Sequence, residues 1–318
     1  MIARRIDPIH LYLGDAKARA AIEAMAQRSG RAIVVLDDAT VASRLGEVTV
    51  LVTGVAPRVD WSGAVRLRLL QFLGAGVDSL WPAKGLPAEV EIANARGIHM
   101  PEMSEHALTM ILAFARDLPR VFEQRARRVW RPFASEPVAG KTVAILGLGE
   151  VGRAVAQRCE ALGMRVVGTR FGAGAVAHVE AVFGADDLDR VLPQADYVVV
   201  TLPLTDRTRG LIGARELALL RPTAVLVHMS RGGIVDEAAL EVALRAGRLR
   251  GAALDVFATE PLDEQSSLWT VPNLIITPHL AGVVHGYVER AFAVALENVE
   301  RLERGEPPRT RVDRERGY

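Results

Sequence analysis

Residues 141–170, KTVAILGLGEVGRAVAQRCEALGMRVVGTR, constrain the fold more than any other part of the chain. Residues 142–146 are a short apolar run rich in β-branched side chains, suited to a buried parallel strand. Gly147, Gly149 and Gly152 follow in G-x-G-x-x-G spacing, residues 153–162 suit a helix, and residues 164–169 suit a second buried strand. A βαβ unit of about 30 residues is the setting in which this spacing signals dinucleotide binding. Gly147 permits the tight turn, Gly149 lets backbone approach a pyrophosphate, and Gly152 lets helix and strand pack closely. Free N–H groups and the positive helix end then hold the phosphate charge. The segment predicts a Rossmann-type cofactor site.

A whole domain's worth of chain precedes that fingerprint. The 318 residues are enough for two domains, each with its own core. Strands are expected over 9–13, 32–36, 48–53, 69–73 and 91–95, with an Ala-rich helix over 16–28. Alternating strands and helices predict a second parallel α/β layer structure. In this first half, Leu73-Gly74-Ala75-Gly76-Val77-Asp78 sits just past a buried strand. Its glycines allow either a plain turn or a loop that offers N–H groups to an anion. A helix is expected over 101–115, with Pro101 in its first turn and Ser104 able to cap it. A second, over 119–130, with Arg120, Arg125, Arg127, Arg128 and the adjoining Arg131, reads as a solvated face or a subunit contact.

Net charge is +1, so neither nucleic acid nor an anionic membrane is expected as a partner. No apolar run reaches the ~18 residues of a membrane span, and no leader is evident, so a cytoplasmic protein is expected. The single cysteine, Cys159, reads as a small buried hydrophobe. Metal-ligand spacings, HExxH, GxSxG and P-loop motifs do not occur, which removes support for zinc and acyl chemistry.

The second strand of the fingerprint ends Thr169-Arg170, and no acidic residue follows until Glu180. An NAD site usually places Asp or Glu about 20 residues past the first glycine, for the ribose 2′-OH. Here a 2′-phosphate would meet no repelling carboxylate. Arg170 offers bidentate N–H donors and Thr169 a hydroxyl, so NADP is expected ahead of NAD.

Three further strand ends carry chemistry. Residues 224–229 run into Ser230-Arg231-Gly232-Gly233, residues 251–257 carry Asp255 and lead to Glu260, and residues 273–277 lead to His279. Active sites of open α/β sheets lie at strand carboxyl ends. Reducing a 2-keto acid needs an anchor for the carboxylate, which Arg231 can supply as a bidentate pair. It needs a proton donor for the keto oxygen, for which the His279 imidazolium is suited. Glu260 can orient that ring and favour its charged form.

These residues and their flanks resemble the D-isomer-specific 2-hydroxyacid dehydrogenases across most of the chain. LGAGVD at 73–78 is similar to the family's substrate-carboxylate loop and GLGEVG at 147–152 to its cofactor motif. LPLTDRTRGLIG at 202–213 resembles its middle signature. SRGGIVDEAAL at 230–240, LDVFATEPL at 254–262 and the segment at 278–282 resemble its catalytic segments. The resemblance implies Arg231, Glu260 and His279 as catalytic residues, and Ala75, Gly76 and Val77, with Arg231 and His279, around the substrate. It implies a cofactor lining of Gly147, Leu148, Gly149, Glu150, Val151, Gly152, Thr169, Arg170, Leu202, Pro203, Thr208, Met229, Ser230, Arg231, Asp255, His279 and Gly282. Asp255 matches the position that holds the nicotinamide carboxamide.

The implied architecture is α/β, with two Rossmann/flavodoxin-like parallel-sheet domains. The cofactor domain, 103–286, is inserted into a substrate domain of 1–102 plus 287–318. Homodimerisation through the cofactor domain is expected, as is the absence of the regulatory extension of many phosphoglycerate dehydrogenases. Arg170 points to the subgroup that reduces glyoxylate and hydroxypyruvate to the D-2-hydroxy acid. Phosphite and formate dehydrogenases are the alternative enzymes, although the formate branch usually has Gln where Glu260 stands. A cofactor-sensing corepressor is the non-enzymatic alternative, since fold alone does not fix function.

Overall fold

The computed structural model describes residues 5–317 except Pro82 and Ala173. The ends of the expected substrate domain, residues 1–4 and 318, lie outside the described residues. The chain divides into two compact units, Met1–Ile98 with His285–Tyr318, and His99–Val284.

The first unit contains β1 (Ile9–Tyr12), α1 (Ala16–Arg28), β2 (Ile33–Leu36), α2 (Val41–Arg44), β3 (Val50–Thr53), β4 (Leu69–Phe72) and β5 (Glu91–Ala93). Its five strands pair in parallel in the order β2-β1-β3-β4-β5. This is the flavodoxin-like form of a doubly wound sheet. Strand alternation splits the apolar residues between two faces. Ile9, Leu11, Val50 and Val52 join Ile22 and Ala26 of α1 in one cluster. Leu51, Leu70 and Phe72 join Leu36 and Trp61 in another. Both faces are therefore covered, as parallel sheets require. Asp15 starts α1 by accepting from the amides of Lys17 and Ala18.

The second unit opens with α3 (Met100–Ala115) and α4 (Leu118–Ala126). It continues with β6 (Thr142–Leu146), α5 (Glu150–Ala161), β7 (Arg165–Arg170), β8 (Ala181–Gly184), α6 (Leu188–Val191), β9 (Tyr197–Val200), α7 (Ala214–Leu219), β10 (Val225–His228), α8 (Glu237–Arg245), β11 (Gly251–Leu254) and β12 (Leu274–Ile276). Seven parallel strands lie in the order β12-β11-β10-β9-β6-β7-β8. The order reverses at β6, which has β7 on one side and β9 on the other, so the ligand crevice falls at the carboxyl end of β6. Ala144 and Leu146 face one core and Val143 and Ile145 the other, where α3 and α5 pack. The chain then returns to the first unit as α9 (Tyr287–Glu303), whose Phe292, Ala295 and Val299 join the α1 side of that core. A fully buried side chain of the size of Phe292 contributes about 1.5–3 kcal/mol.

Several expectations shift locally. α5 begins at Glu150 rather than 153, because Gly149 itself is the N-cap. Ser104 does not cap α3. The helix starts at Met100, so Ser104 lies in its second turn and its hydroxyl donates back to the carbonyls of Met100 and Pro101. α4 stops at Ala126 instead of 130, and Arg128 takes a left-handed φ of 55° two residues later. β8 falls where no element was expected, because four residues hold too little pattern to mark a strand.

Candidate active site

The loop between β6 and α5 fits a dinucleotide for reasons visible at each glycine. Gly147 has φ +104°, and a Cβ there would press on Leu202 and on the backbone of Thr201 at 3.1–3.2 Å. A Cβ at Gly152 would overlap the Gly147 carbonyl oxygen, so any side chain would drive α5 away from the loop. A Cβ at Gly149 would meet nothing within 4 Å, leaving open space at the helix N-cap where a pyrophosphate can approach backbone N–H groups. Thr201 Oγ1 donates to the Gly147 carbonyl (2.6 Å), and the amides of Gly147 and Leu148 donate to Thr169 O (3.2 and 2.9 Å). The loop is thus tied to both neighbouring strands. Leu148 points its side chain into the core, while Glu150 is exposed and Val151 is half-buried beside that core.

At the end of β7, Thr169 is buried in the strand, and Arg170 reaches the rim of a cavity of about 420 Å³. Gly168 is required there, because a Cβ would lie 2.7 Å from Ile145 O and 2.9 Å from Leu148. On the other side of β6, Leu202 and Pro203 follow β9. Thr208 is buried, its hydroxyl donating to Pro203 O (2.6 Å) and accepting from Thr205 N (2.8 Å), so it shapes its own loop.

The remaining candidates gather at the carboxyl ends of β10, β11 and β12. Met229 and Ser230 are buried and bring out Arg231, which is half-buried and donates from Nη1 to Ser230 O (2.7 Å). A Cβ at Gly232 would overlap the Phe257 carbonyl, so the Arg231 loop lies directly against the segment leading to Glu260. Glu260 is held from both sides. Its Oε1 accepts from Phe257 N (2.9 Å), and its Oε2 lies 2.7 Å from His279 Nδ1. The Nδ1–H of His279 donates to this carboxylate, and the opposite ring nitrogen belongs to a half-exposed side chain.

His279 is a non-glycine residue at φ +50°, a conformation that costs of order 1–3 kcal/mol and persists only where neighbours enforce it. Asp255 enforces it. Only 2% exposed, Asp255 accepts the His279 amide on its carbonyl (2.8 Å). Its Oδ1 accepts from Thr277 Oγ1 (2.6 Å) and Leu280 N (3.0 Å), and its Oδ2 from Ala281 N (2.9 Å). Gly282 closes this loop against His99, whose Nδ1 would stand 3.0 Å from a Cβ there.

Three residues in this region escaped the sequence reading. Glu237 accepts from Ala258 N (2.6 Å) and so braces the Glu260 loop; burial raises its pKa, opposed by that hydrogen bond. His106 of α3 lies 3.9 Å from Asp255 Oδ1, and burial lowers its pKa. His228 is buried at the end of β10, where desolvation pushes its pKa down to about 4. Glu237 could have been suspected from its place in SRGGIVDEAAL. A histidine in a buried strand carries no such signal.

The model of the D-isomer specific 2-hydroxyacid dehydrogenase NAD binding domain matches residues 108–281 of this chain. The chain belongs to that family. The dehydrogenase is 34% identical over 292 residues to a glyoxylate reductase of Thermococcus gammatolerans, covering 86% of this chain and 85% of the relative. It is 32% identical to the D-3-phosphoglycerate dehydrogenase of Methanocaldococcus jannaschii over 76% of this chain, but spans about half (47%) of that longer protein. Among solved structures, it resembles a family member from Xanthobacter autotrophicus in complex with NADPH and MES. The TM-score is 0.88 at 32% identity, over 98% of this chain and 100% of that one. An NADPH-dependent glyoxylate/hydroxypyruvate reductase from Sinorhizobium meliloti, in complex with NADP and sulfate, gives a TM-score of 0.87 at 29% identity over 98% and 100%. The dehydrogenase is therefore an oxidoreductase that uses a nicotinamide dinucleotide. Among the described residues, no helix is long and apolar enough to cross a membrane.

Proposed function

We propose that this dehydrogenase reduces small 2-keto acids, glyoxylate or hydroxypyruvate, to the D-2-hydroxy acid with NADPH in preference to NADH. The observation that carries the chemistry is the 2.7 Å contact of His279 Nδ1 with a Glu260 carboxylate that is itself fixed by Phe257 N. That contact commits Nδ1 and leaves Nε2–H to donate a proton to the substrate's keto oxygen. Arg231 pairs with the substrate carboxylate and so orients the keto carbon. The bound nicotinamide supplies the hydride. Asp255 acts mainly by holding the His279 loop, since its carboxylate oxygens are both engaged there.

In the first unit, the carbonyls of Gly74 and Ala75 accept from Ala95 N (2.9 Å) and Asn94 Nδ2 (2.7 Å). A trans peptide points its N–H opposite its C=O. The amides of Ala75 and Gly76 therefore face away from those partners, which suits them, with Val77, to receiving the substrate carboxylate. The first unit accordingly serves as substrate domain and the second as cofactor domain. Support for NADP comes from Arg170 beside the 420 Å³ cavity and from the NADPH and NADP bound to the two similar structures.

A homodimer through the second unit is part of the proposal. α4 buries no residue, and its Val121 lines one groove with Val129 and Trp130, the last 95% exposed, an apolar patch that a second copy would cover. The direct test follows the absorbance of the reduced nicotinamide with glyoxylate, hydroxypyruvate and phenylpyruvate, each with NADPH and NADH. Turnover of the two small acids with NADPH is expected. Turnover of phenylpyruvate alone would refute the substrate class, and turnover with NADH alone would refute the cofactor preference.

A further inference from the structure

The cavity at the end of β7 holds a second arginine, Arg207, which stands in the 202–213 segment without an assigned role. Its walls come from the end of β7 and the loop after it (Arg170, then Phe171 and Gly172), from the end of β8 (Gly184, with Asp186 beyond it) and from Arg207. Arg207 arrives from the opposite side, on the loop that follows β9. That loop is firm, because its next residue, Thr208, is buried and hydrogen-bonded to Pro203 and Thr205. The Arg207 guanidinium carbon lies 5.1 Å from the centroid of the Phe171 ring, which orders the end of an otherwise exposed side chain over the cavity. Arg170 is tethered on the near side through Nε to Phe171 O (3.3 Å).

The cavity can be located along a dinucleotide. The glycine loop is hydrogen-bonded to Thr169 at 2.9 and 3.2 Å, so the cavity lies one strand beyond the pyrophosphate cradle, where the adenosine ribose of a Rossmann ligand falls. A phosphate monoester carries a charge of about −1.5 to −2 near neutral pH. One guanidinium does not balance that charge, and Asp186, which also lines the cavity, adds to the deficit. Two guanidinium groups lining one cavity come closer to doing so.

We propose that Arg207 is a specificity residue that, with Arg170, clamps the 2′-phosphate of the cofactor from the side opposite the β7 strand. This rests on the NADP reading above. It adds that selectivity is shared between a residue of the fingerprint and one from the loop after β9, held in place by Phe171.

The test measures binding rather than turnover, using 2′,5′-ADP and 5′-AMP as probes in calorimetric titrations of the wild type, Arg170→Ala, Arg207→Ala and Arg207→Lys. Losing one charge-assisted contact to phosphate should weaken 2′,5′-ADP by about 10- to 100-fold in Arg207→Ala, with 5′-AMP changed by less than about 2-fold. Arg207→Lys should recover part of the loss, and added salt should reduce the difference between wild type and Arg207→Ala. If Arg207→Ala weakens both probes equally, Arg207 stacks on adenine and the proposal is overturned. It is also overturned if Arg207→Ala changes neither probe while Arg170→Ala weakens 2′,5′-ADP alone, and in that case the NADP reading survives. A wild type that binds both probes equally would overturn the NADP reading, and the clamp with it.

Discussion

The two ends of the seven-stranded sheet are built in opposite ways. Where β10, β11 and β12 end, almost every polar atom with a proposed role in the reaction is already held by the protein. Glu260 is fixed by Phe257 and His279, Asp255 by Thr277, Leu280 and Ala281, and the Ala258 amide by Glu237. Where β7 and β8 end, there is an open cavity with arginines on its rim and Phe171 about half exposed. The first end has little freedom, since catalytic groups displaced by even an ångström lose much of their effect. The second, as proposed, needs only charge and reach to select a ribose substituent. This contrast predicts that substitutions at the first end damage the chemical step, whereas those at the second change which cofactor is used.

The largest effect is expected at His279. His279→Ala should lower kcat by about 10²- to 10⁴-fold, the usual contribution of a positioned proton donor. NADPH affinity should stay within about 2-fold, since the group acts in the chemical step. Stopped-flow turnover beside a fluorescence titration of NADPH measures the two separately, and unchanged turnover would remove His279 from the mechanism. Asp255→Asn comes next. Its amide can still accept but meets three donors with a single oxygen, so kcat should fall by about 10- to 100-fold, the cost of one or two misplaced hydrogen bonds to a charged group. If KM for the cofactor rises while kcat holds, Asp255 contacts the nicotinamide more than it holds the loop.

At the other end, Arg170→Asp replaces the proposed hydrogen-bond donor to the 2′-phosphate with a repelling carboxylate. NADPH should weaken by about 100-fold or more and NADH by only a few-fold, as expected when one charged contact is both lost and inverted. Parallel Kd measurements decide it, because equal losses would mean that Arg170 holds a part common to both cofactors. Turnover of the saturated enzyme should be nearly unchanged, which is the feature that sets this end apart from the first.

The same contrast governs what could be read before the fold was known. The glycine loop and the meeting of His279 with Glu260 beside the Arg231 loop were legible because the chemistry expected of them fixes residue type and spacing, and the glycines also report steric limits that a side chain would violate. The parallel sheets were legible because strands buried on both faces must be apolar runs. Arg207 was not, because an exposed arginine in a loop is ordinary until Phe171 and a cavity are seen beside it. β8 was missed for a similar reason, since four residues hold too little pattern to separate a strand from a loop. Glu237 and Thr277 act by hydrogen-bonding main chain or another side chain, a role that many residue types in many places could fill.

A smaller effect tests whether the rigid end also carries a stability cost. Burial lowers the His228 pKa from 6.5 to about 4, so the folded protein keeps this ring neutral where the unfolded chain would protonate it. Between those two values the unfolded state binds more protons, and stability must fall as pH falls through that window. Each pH unit costs up to about 1.4 kcal/mol for one such group. His106 and His10 are also lowered by burial and act with the same sign, so some slope should remain when His228 is replaced. Urea melts of the wild type and of His228→Gln at several pH values should therefore give a shallower acid decline in the variant, by about one proton's worth. Parallel declines would mean that the end of β10 admits enough water to protonate His228 in the folded state. The β10–β12 end would then be less tightly closed than its hydrogen bonds imply, and its contrast with the open cavity at β7 would narrow.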